Sequence, residues 1–121
     1  MTRYDPHARP VLVVEDDGAL RAYLATILEH HGYRVVAAAS GEEALELLGD
    51  EKAMLAVLDI GLPGMDGFAV AEHLAPDVPV IVVTGDPLRA KMKAFGRSAS
   101  MKILAKPIAP ETFEQAVDSA L

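Results

Sequence analysis

Two hydropathy patterns alternate along this chain. Short, nearly continuous apolar runs occur at Val11–Val14, Tyr33–Ala37, Met54–Leu58, Val80–Val83 and Ile103–Ala105. Runs of this length, rich in β-branched residues, suit strands covered on both faces. Between them the apolar residues return at helical spacing. Leu20, Tyr23, Leu24, Ile27 and Leu28 follow the i, i+3, i+4, i+7, i+8 rhythm, with Asp17 placed to cap the helix and Gly32 to stop it. "SGEE", residues 40–43, is a capping box, with Glu43 reaching back over Ser40. It opens a second helix carrying Ala44, Leu45, Leu47 and Leu48, which Gly49 can end. A third helix runs from Gly67 to Ala75 behind Asp66, and Leu88, Met92 and Phe95 give a weaker fourth. Pro110 starts the last helix, with Phe113, Ala116, Val117 and Ala120 facing inward.

Strand and helix thus alternate five times. The pattern predicts an α/β fold, a doubly wound (βα)5 flavodoxin-like three-layer sandwich with a parallel sheet of order 2-1-3-4-5. In such sheets, sites form outside the carboxyl ends of the strands, where the strand order reverses. The first and third strands flank that point.

Size and composition narrow the picture. The 121 residues make one domain, and 51% hydrophobic residues supply a core. Residues 1–9 read as a polar N-terminal extension and residues 10–121 as the domain. No apolar run approaches the ~20 residues of a membrane span, so no membrane role is expected. With no cysteine, disulfides and thiolate chemistry are excluded, and a cytoplasmic location is expected. The net charge of −7 argues against direct nucleic-acid binding. The charge is uneven: Arg89, Lys91, Lys93, Arg97, Lys102 and Lys106 form a run without a single acid. That run is either a solvated face or a surface that docks a partner.

The chemistry lies at the strand ends. The first strand ends in Glu15, Asp16 and Asp17, the third in Asp59, the fourth in Thr84 and the fifth in Lys106-Pro107. The topology should bring Glu15, Asp16, Asp59, Thr84 and Lys106 into one pocket. Carboxylates held close repel one another, and a hard divalent cation relieves them; oxygen ligands at a partly hydrated site suit magnesium. A hydroxyl and an ammonium beside the acids point to an incoming group with several anionic oxygens. A phosphoryl group has three, and its transfer is promoted mainly by positioning and charge stabilisation. Asp59 is then the nucleophile, forming an acyl phosphate. Taken singly, each of these residues could be a helix cap, a loop acid or a surface lysine; their joint placement carries the reading. His7, His30, His31 and His73 show no metal-binding pattern.

"VLVVEDDGALR", "LDIGLPGMDG", "PVIVVTG" and "KILAKPI" resemble, in order, the motifs of receiver domains of two-component response regulators, such as single-domain chemotaxis regulators. The resemblance covers about residues 10 to 121. It implies that Asp59 is the phosphoacceptor and that Asp16 holds magnesium directly, with Glu15 acting largely through water. Manganese would be a substitute metal, and the backbone carbonyl of Gly61 a further ligand. Thr84 would be the switch hydroxyl and Lys106 the phosphate-binding lysine, with the Lys106–Pro107 bond often cis in the family. The phosphodonor would be a phosphohistidine of a sensor histidine kinase or a histidine phosphotransfer domain. Output would pass by protein–protein contact through the face of the fourth helix, fifth strand and fifth helix, from a monomer or weak dimer. The protein would promote only its own phosphorylation and dephosphorylation. With no effector domain in the sequence, either a stand-alone receiver or a receiver from a longer regulator is expected.

The sequence departs from the family in two places. Ile103 stands where receivers usually carry an aromatic that moves with the switch hydroxyl, and the third helix is short by about one turn. Signalling is therefore expected to act through the loop and helix around Gly85–Phe95. Glycine at 61 and 85 leaves the acceptor open to water, so a short-lived phosphorylated state is expected. Three other functions are weaker. An aspartyl-phosphate hydrolase needs a second acid where Gly61 stands. A flavodoxin-like cofactor module needs a neutral phosphate cradle where "EDDG" stands. A receiver that works without phosphate would not need all five site residues.

Overall fold

In the computed structural model, residues 5–62, 64–93 and 101–121 are described. Five strands, β1 (Val11–Val14), β2 (Val35–Ala38), β3 (Leu55–Asp59), β4 (Val80–Thr84) and β5 (Met101–Ala105), form one sheet of order β2-β1-β3-β4-β5. Every pairing is parallel. Five helices connect and follow them: α1 (Gly18–His30), α2 (Gly41–Leu48), α3 (Gly67–Glu72), α4 (Pro87–Lys93) and α5 (Pro110–Ala120). This is the predicted doubly wound fold.

The strand residues divide the core in two. Leu12, Val14, Ala56, Leu58, Val80 and Val82 point to the side covered by α2, α3 and α4. Val11, Val13, Leu55, Val57, Ile81 and Val83 point to the side of α1 and α5, where Leu24, Leu28 and Phe113 pack. Because both faces are covered, β1, β3 and β4 are buried along their whole length. This explains why their sequences show apolar runs rather than alternation. The edge strand β5 differs: Lys102 and Ala105 are exposed and Leu104 is buried.

Local signals set most of the element ends. Asp17 caps α1 through Ala19 and Leu20, and Asp66 caps α3 through the Ala69 N–H. Ser40 Oγ accepts from the Glu43 N–H, while the Glu43 carboxylate accepts from Ala39, one residue before the cap. Gly32 and Gly49, at φ 89° and 59°, end α1 and α2 in the left-handed region that favours glycine.

Several boundaries differ from the sequence expectation. β2 starts at Val35 rather than Tyr33, β3 runs one residue further to include Asp59, and β5 starts at Met101. α3 stops at Glu72, short of Ala75. Leu47 on α2 and Leu88 on α4 are exposed, and the small Ala90 enters the core from α4. The Met92 side chain and residues Phe95 and Arg97 lie outside the described part of the chain.

Candidate phosphoacceptor site

The sheet register delivers the predicted residues to one edge. The ladder continues past β1, where the Glu15 N–H donates to the Ala38 carbonyl, and past β5, where the Lys106 N–H donates to the Thr84 carbonyl. β3 sits between β1 and β4 and ends at Asp59, level with Val83 and one residue beyond the β1 pairing. Glu15, Asp16, Asp59 and Lys106 therefore gather at the reversal point.

The three acids present carboxylate oxygens that all lie within 4.8 Å of one another, with Glu15 and Asp59 buried and Asp16 exposed. Glu15 is 1% exposed. Its Oε2 accepts from the Asp17 N–H at 3.1 Å, and its Oε1 lies 2.9 Å from Lys106 Nζ but makes no directed hydrogen bond. Asp59 Oδ1 accepts from the Gly61 N–H at 2.9 Å, and Oδ2 accepts from Lys106 Nζ at 3.1 Å. Lys106 thus bridges the two buried acids from the far side of the cleft. Its peptide bond to Pro107 is cis.

The electrostatics follow from this crowding. Burial pushes the Glu15 carboxyl above the ordinary glutamate range. The charge of Asp59 and a side-chain hydrogen bond with Asp16 add to that, and the Asp17 N–H and Lys106 oppose it. Burial alone would pull the Lys106 ammonium down. The Glu15 and Asp59 carboxylates outweigh it and hold the lysine above the usual lysine range. One ammonium cannot neutralise three carboxylates. A buried acid oxygen without a directed donor, beside two more acids, is a donor set that fits a hard divalent cation.

Thr84 is buried at the end of β4, and its Oγ1 accepts from the Asp86 N–H at 2.9 Å. Asp86 in turn accepts from the Arg89 N–H in the first turn of α4. The Thr84 hydroxyl is therefore tied to the cap of α4. Ile103, in the place of the expected aromatic, is half-buried and packs against the α2–α3–α4 side of the core.

Sequence reasoning missed two residues. A Cβ on Gly67 would lie 2.4 Å from the Asp59 backbone oxygen, so only glycine lets α3 abut the end of β3. Arg21 Nη1 donates to the Glu15 carbonyl at 2.9 Å. Gly67 is the last letter of the "LDIGLPGMDG" motif, but nothing in the sequence shows what it approaches.

With this geometry in view, the similarities to known proteins are decisive. The sequence matches the response regulator receiver domain family over residues 11–118. The chain belongs to that family. It is 43% identical over 76 residues to the transcriptional regulatory protein AfsQ1 of Streptomyces coelicolor, covering 61% of this chain and 34% of that protein. It is 35% identical over 114 residues to the probable transcriptional regulator ycf27 of Porphyridium aerugineum, covering 92% of this chain and 47% of that one. This receiver domain therefore spans less than half the length of those regulators. The crystal structure of a CheY-like receiver domain protein from Methanospirillum hungatei superposes with a TM-score of 0.81 at 31% identity, covering 92% of this chain and 91% of that one. The acidic cluster of this receiver domain is compatible with metal binding and with phosphorylation. Among the described residues, no helix is long and apolar enough to cross a membrane.

Proposed function

We propose that this receiver domain accepts a phosphoryl group on Asp59 from a phosphohistidine of a sensor histidine kinase or histidine phosphotransfer protein, and signals by protein–protein contact. The observation that carries this reading is the setting of Asp59: one oxygen held by the Gly61 N–H, the other by Lys106, beside the Glu15 and Asp16 carboxylates. An Asp59 carboxylate oxygen attacks phosphorus, the P–N bond to the donor imidazole breaks, and the imidazole leaves with that bond's electron pair. Lys106 exchanges part of its ion pairing with Asp59 for a phosphoryl oxygen. The Thr84 hydroxyl donates its proton to another.

Glu15, Asp16 and Asp59, with the Gly61 carbonyl, would hold magnesium, or manganese in its place. Bound there, the cation supplies charge that offsets both the acids and the incoming phosphoryl oxygens. A hollow of about 540 Å³ lined by Asp17, Leu20, Tyr23, Lys106, Pro107 and Ile108 lies beside the site and gives a donor protein room to approach. Gly61 and Gly85 are exposed, which supports water access and a short-lived acyl phosphate. The domain promotes only its own phosphorylation and dephosphorylation. Residues 10–121 form the receiver unit, with residues 1–9 as a lead-in, and the protein acts in the cytoplasm as a monomer or weak dimer. It makes no direct contact with nucleic acid.

The output step follows from the bond between Thr84 and Asp86. When Thr84 turns to the phosphoryl group, Asp86 loses its acceptor and the cap of α4 loosens. A shift of α4 then changes the α4–β5–α5 face, where Leu88, Arg89, Lys91 and Lys102 are exposed to a target. Amide exchange around residues 85–93 should change on adding beryllofluoride; an unaltered pattern there contradicts this route.

The direct test is incubation with acetyl phosphate and magnesium followed by intact-mass measurement. Wild type should gain about 80 Da, one phosphoryl group, and Asp59→Asn should gain nothing. An equal gain in both proteins overturns the assignment.

A further inference from the structure

Arg21 occupies a position that helix electrostatics disfavours. It lies in the first turn of α1, where the exposed N–H groups make cations unwelcome. Its side chain nevertheless stays at that end. Nη2 lies beside Gly18, 3.5 Å from where a Cβ would stand, and Nη1 donates to the Glu15 carbonyl at 2.9 Å. The neighbouring backbone is held just as fully. The Glu15 N–H is bonded to Ala38, the Asp17 N–H to the Glu15 carboxylate, and the Asp17 carbonyl to the Arg21 N–H. Arg21 thus grips the segment twice, through its backbone and its guanidinium, and Asp16 lies between the two grips.

We infer that Arg21 is a positioning residue for the acid pair: its guanidinium fixes the Glu15 carbonyl, and with it the direction in which the Glu15 and Asp16 carboxylates present their oxygens. The site is organised before any cation arrives, so cation affinity depends on a side chain that is not itself a ligand. The inference rests on the reading of Glu15, Asp16 and Asp59 as the cation site.

The test is calorimetric titration of the whole chain with magnesium chloride. The proteins compared are wild type, Arg21→Gln, Arg21→Lys and the control Ala19→Gly, which weakens the same helical turn without touching Glu15. Affinity should fall about tenfold in Arg21→Gln, consistent with loss of one charge-assisted bond. It should recover in part in Arg21→Lys and stay at the wild-type value in Ala19→Gly. In acetyl phosphate reactions the magnesium concentration for half-maximal rate should rise in Arg21→Gln, with the rate at saturating magnesium within about twofold of wild type. Unchanged affinity in a folded Arg21→Gln, or an equal loss in Ala19→Gly, overturns the inference and leaves the cation site standing. Absence of magnesium binding by wild type overturns both.

Discussion

The two halves of the sheet's carboxyl edge are built differently. At the ends of β1 and β3, Glu15 and Asp59 are held at several points each. Glu15 is held through its N–H, its carbonyl and a carboxylate oxygen, Asp59 through both carboxylate oxygens, and Gly67 abuts the Asp59 backbone. At the ends of β4 and β5 the holding is sparse. Thr84 is buried, but Gly85, Asp86, Leu88 and Arg89 beyond it are exposed, and β5 is an edge strand with only Leu104 fully buried. The first half suits a fixed geometry for charge and attack. The second, joined to the site through Thr84 and Lys106, can move at lower cost. On the proposed function, attack on phosphorus would fall to the tightly held half and the movement that carries the signal to the looser one.

Substitutions at two glycines should expose this contrast most strongly. Gly67→Ala would press a Cβ against the Asp59 backbone, 2.4 Å from its oxygen, and should cost about 3 kcal/mol in urea unfolding. Gly85→Ala meets nothing within 4 Å and should be neutral or stabilising by about 0.5 kcal/mol. Equal losses at both positions would contradict tighter packing at the end of β3 than at the end of β4.

The next effect is electrostatic. Glu15 is raised above 4.5 chiefly by burial, so the folded state holds its proton more tightly than the unfolded state does. Its stabilising contribution is complete below the unfolded value and is lost as pH rises through the folded one. In metal-free buffer at neutral pH, Glu15→Gln should therefore be more stable than wild type, while binding magnesium more weakly. The advantage should shrink as pH falls toward the ordinary glutamate range. Thermal unfolding across that range checks the sign; a variant less stable than wild type at neutral pH contradicts the reading of the site as charge-crowded.

The smallest effect belongs to the exposed face. Leu88 is 69% exposed, so Leu88→Ala should change stability by less than about 0.5 kcal/mol. A larger loss in urea unfolding would mean that α4 is packed more firmly than the comparison allows.

How much of this was legible in the sequence depended on the kind of signal. Buried strands announced themselves, because a strand covered on both sides cannot alternate. Caps at Asp17, Ser40 and Asp66 worked because a short oxygen beside free N–H groups is a local device. The gathering of Glu15, Asp16, Asp59 and Lys106 followed from topology, since parallel strands place all their carboxyl ends together. The orientation of the short helices was not legible: α2 and α4 have eight and seven residues, too few to define a stripe, and Leu47 and Leu88 point outward. The start of β5 was hidden because Lys102 faces solvent at an open edge. Gly67 and Arg21 act on backbone atoms of Asp59 and Glu15, and no side-chain pattern records such contacts.

Asp59, the acid that ends β3, is proposed to take the phosphoryl group. Borohydride reduction of the freshly phosphorylated protein, followed by peptide mapping, tests it at a single residue, because an acyl phosphate is reduced to the alcohol while free carboxylates are not. Homoserine is expected at position 59, with aspartate retained at position 16. Reduction at Glu15 or Asp16, or no reduction in a protein that has gained the phosphoryl mass, would contradict it.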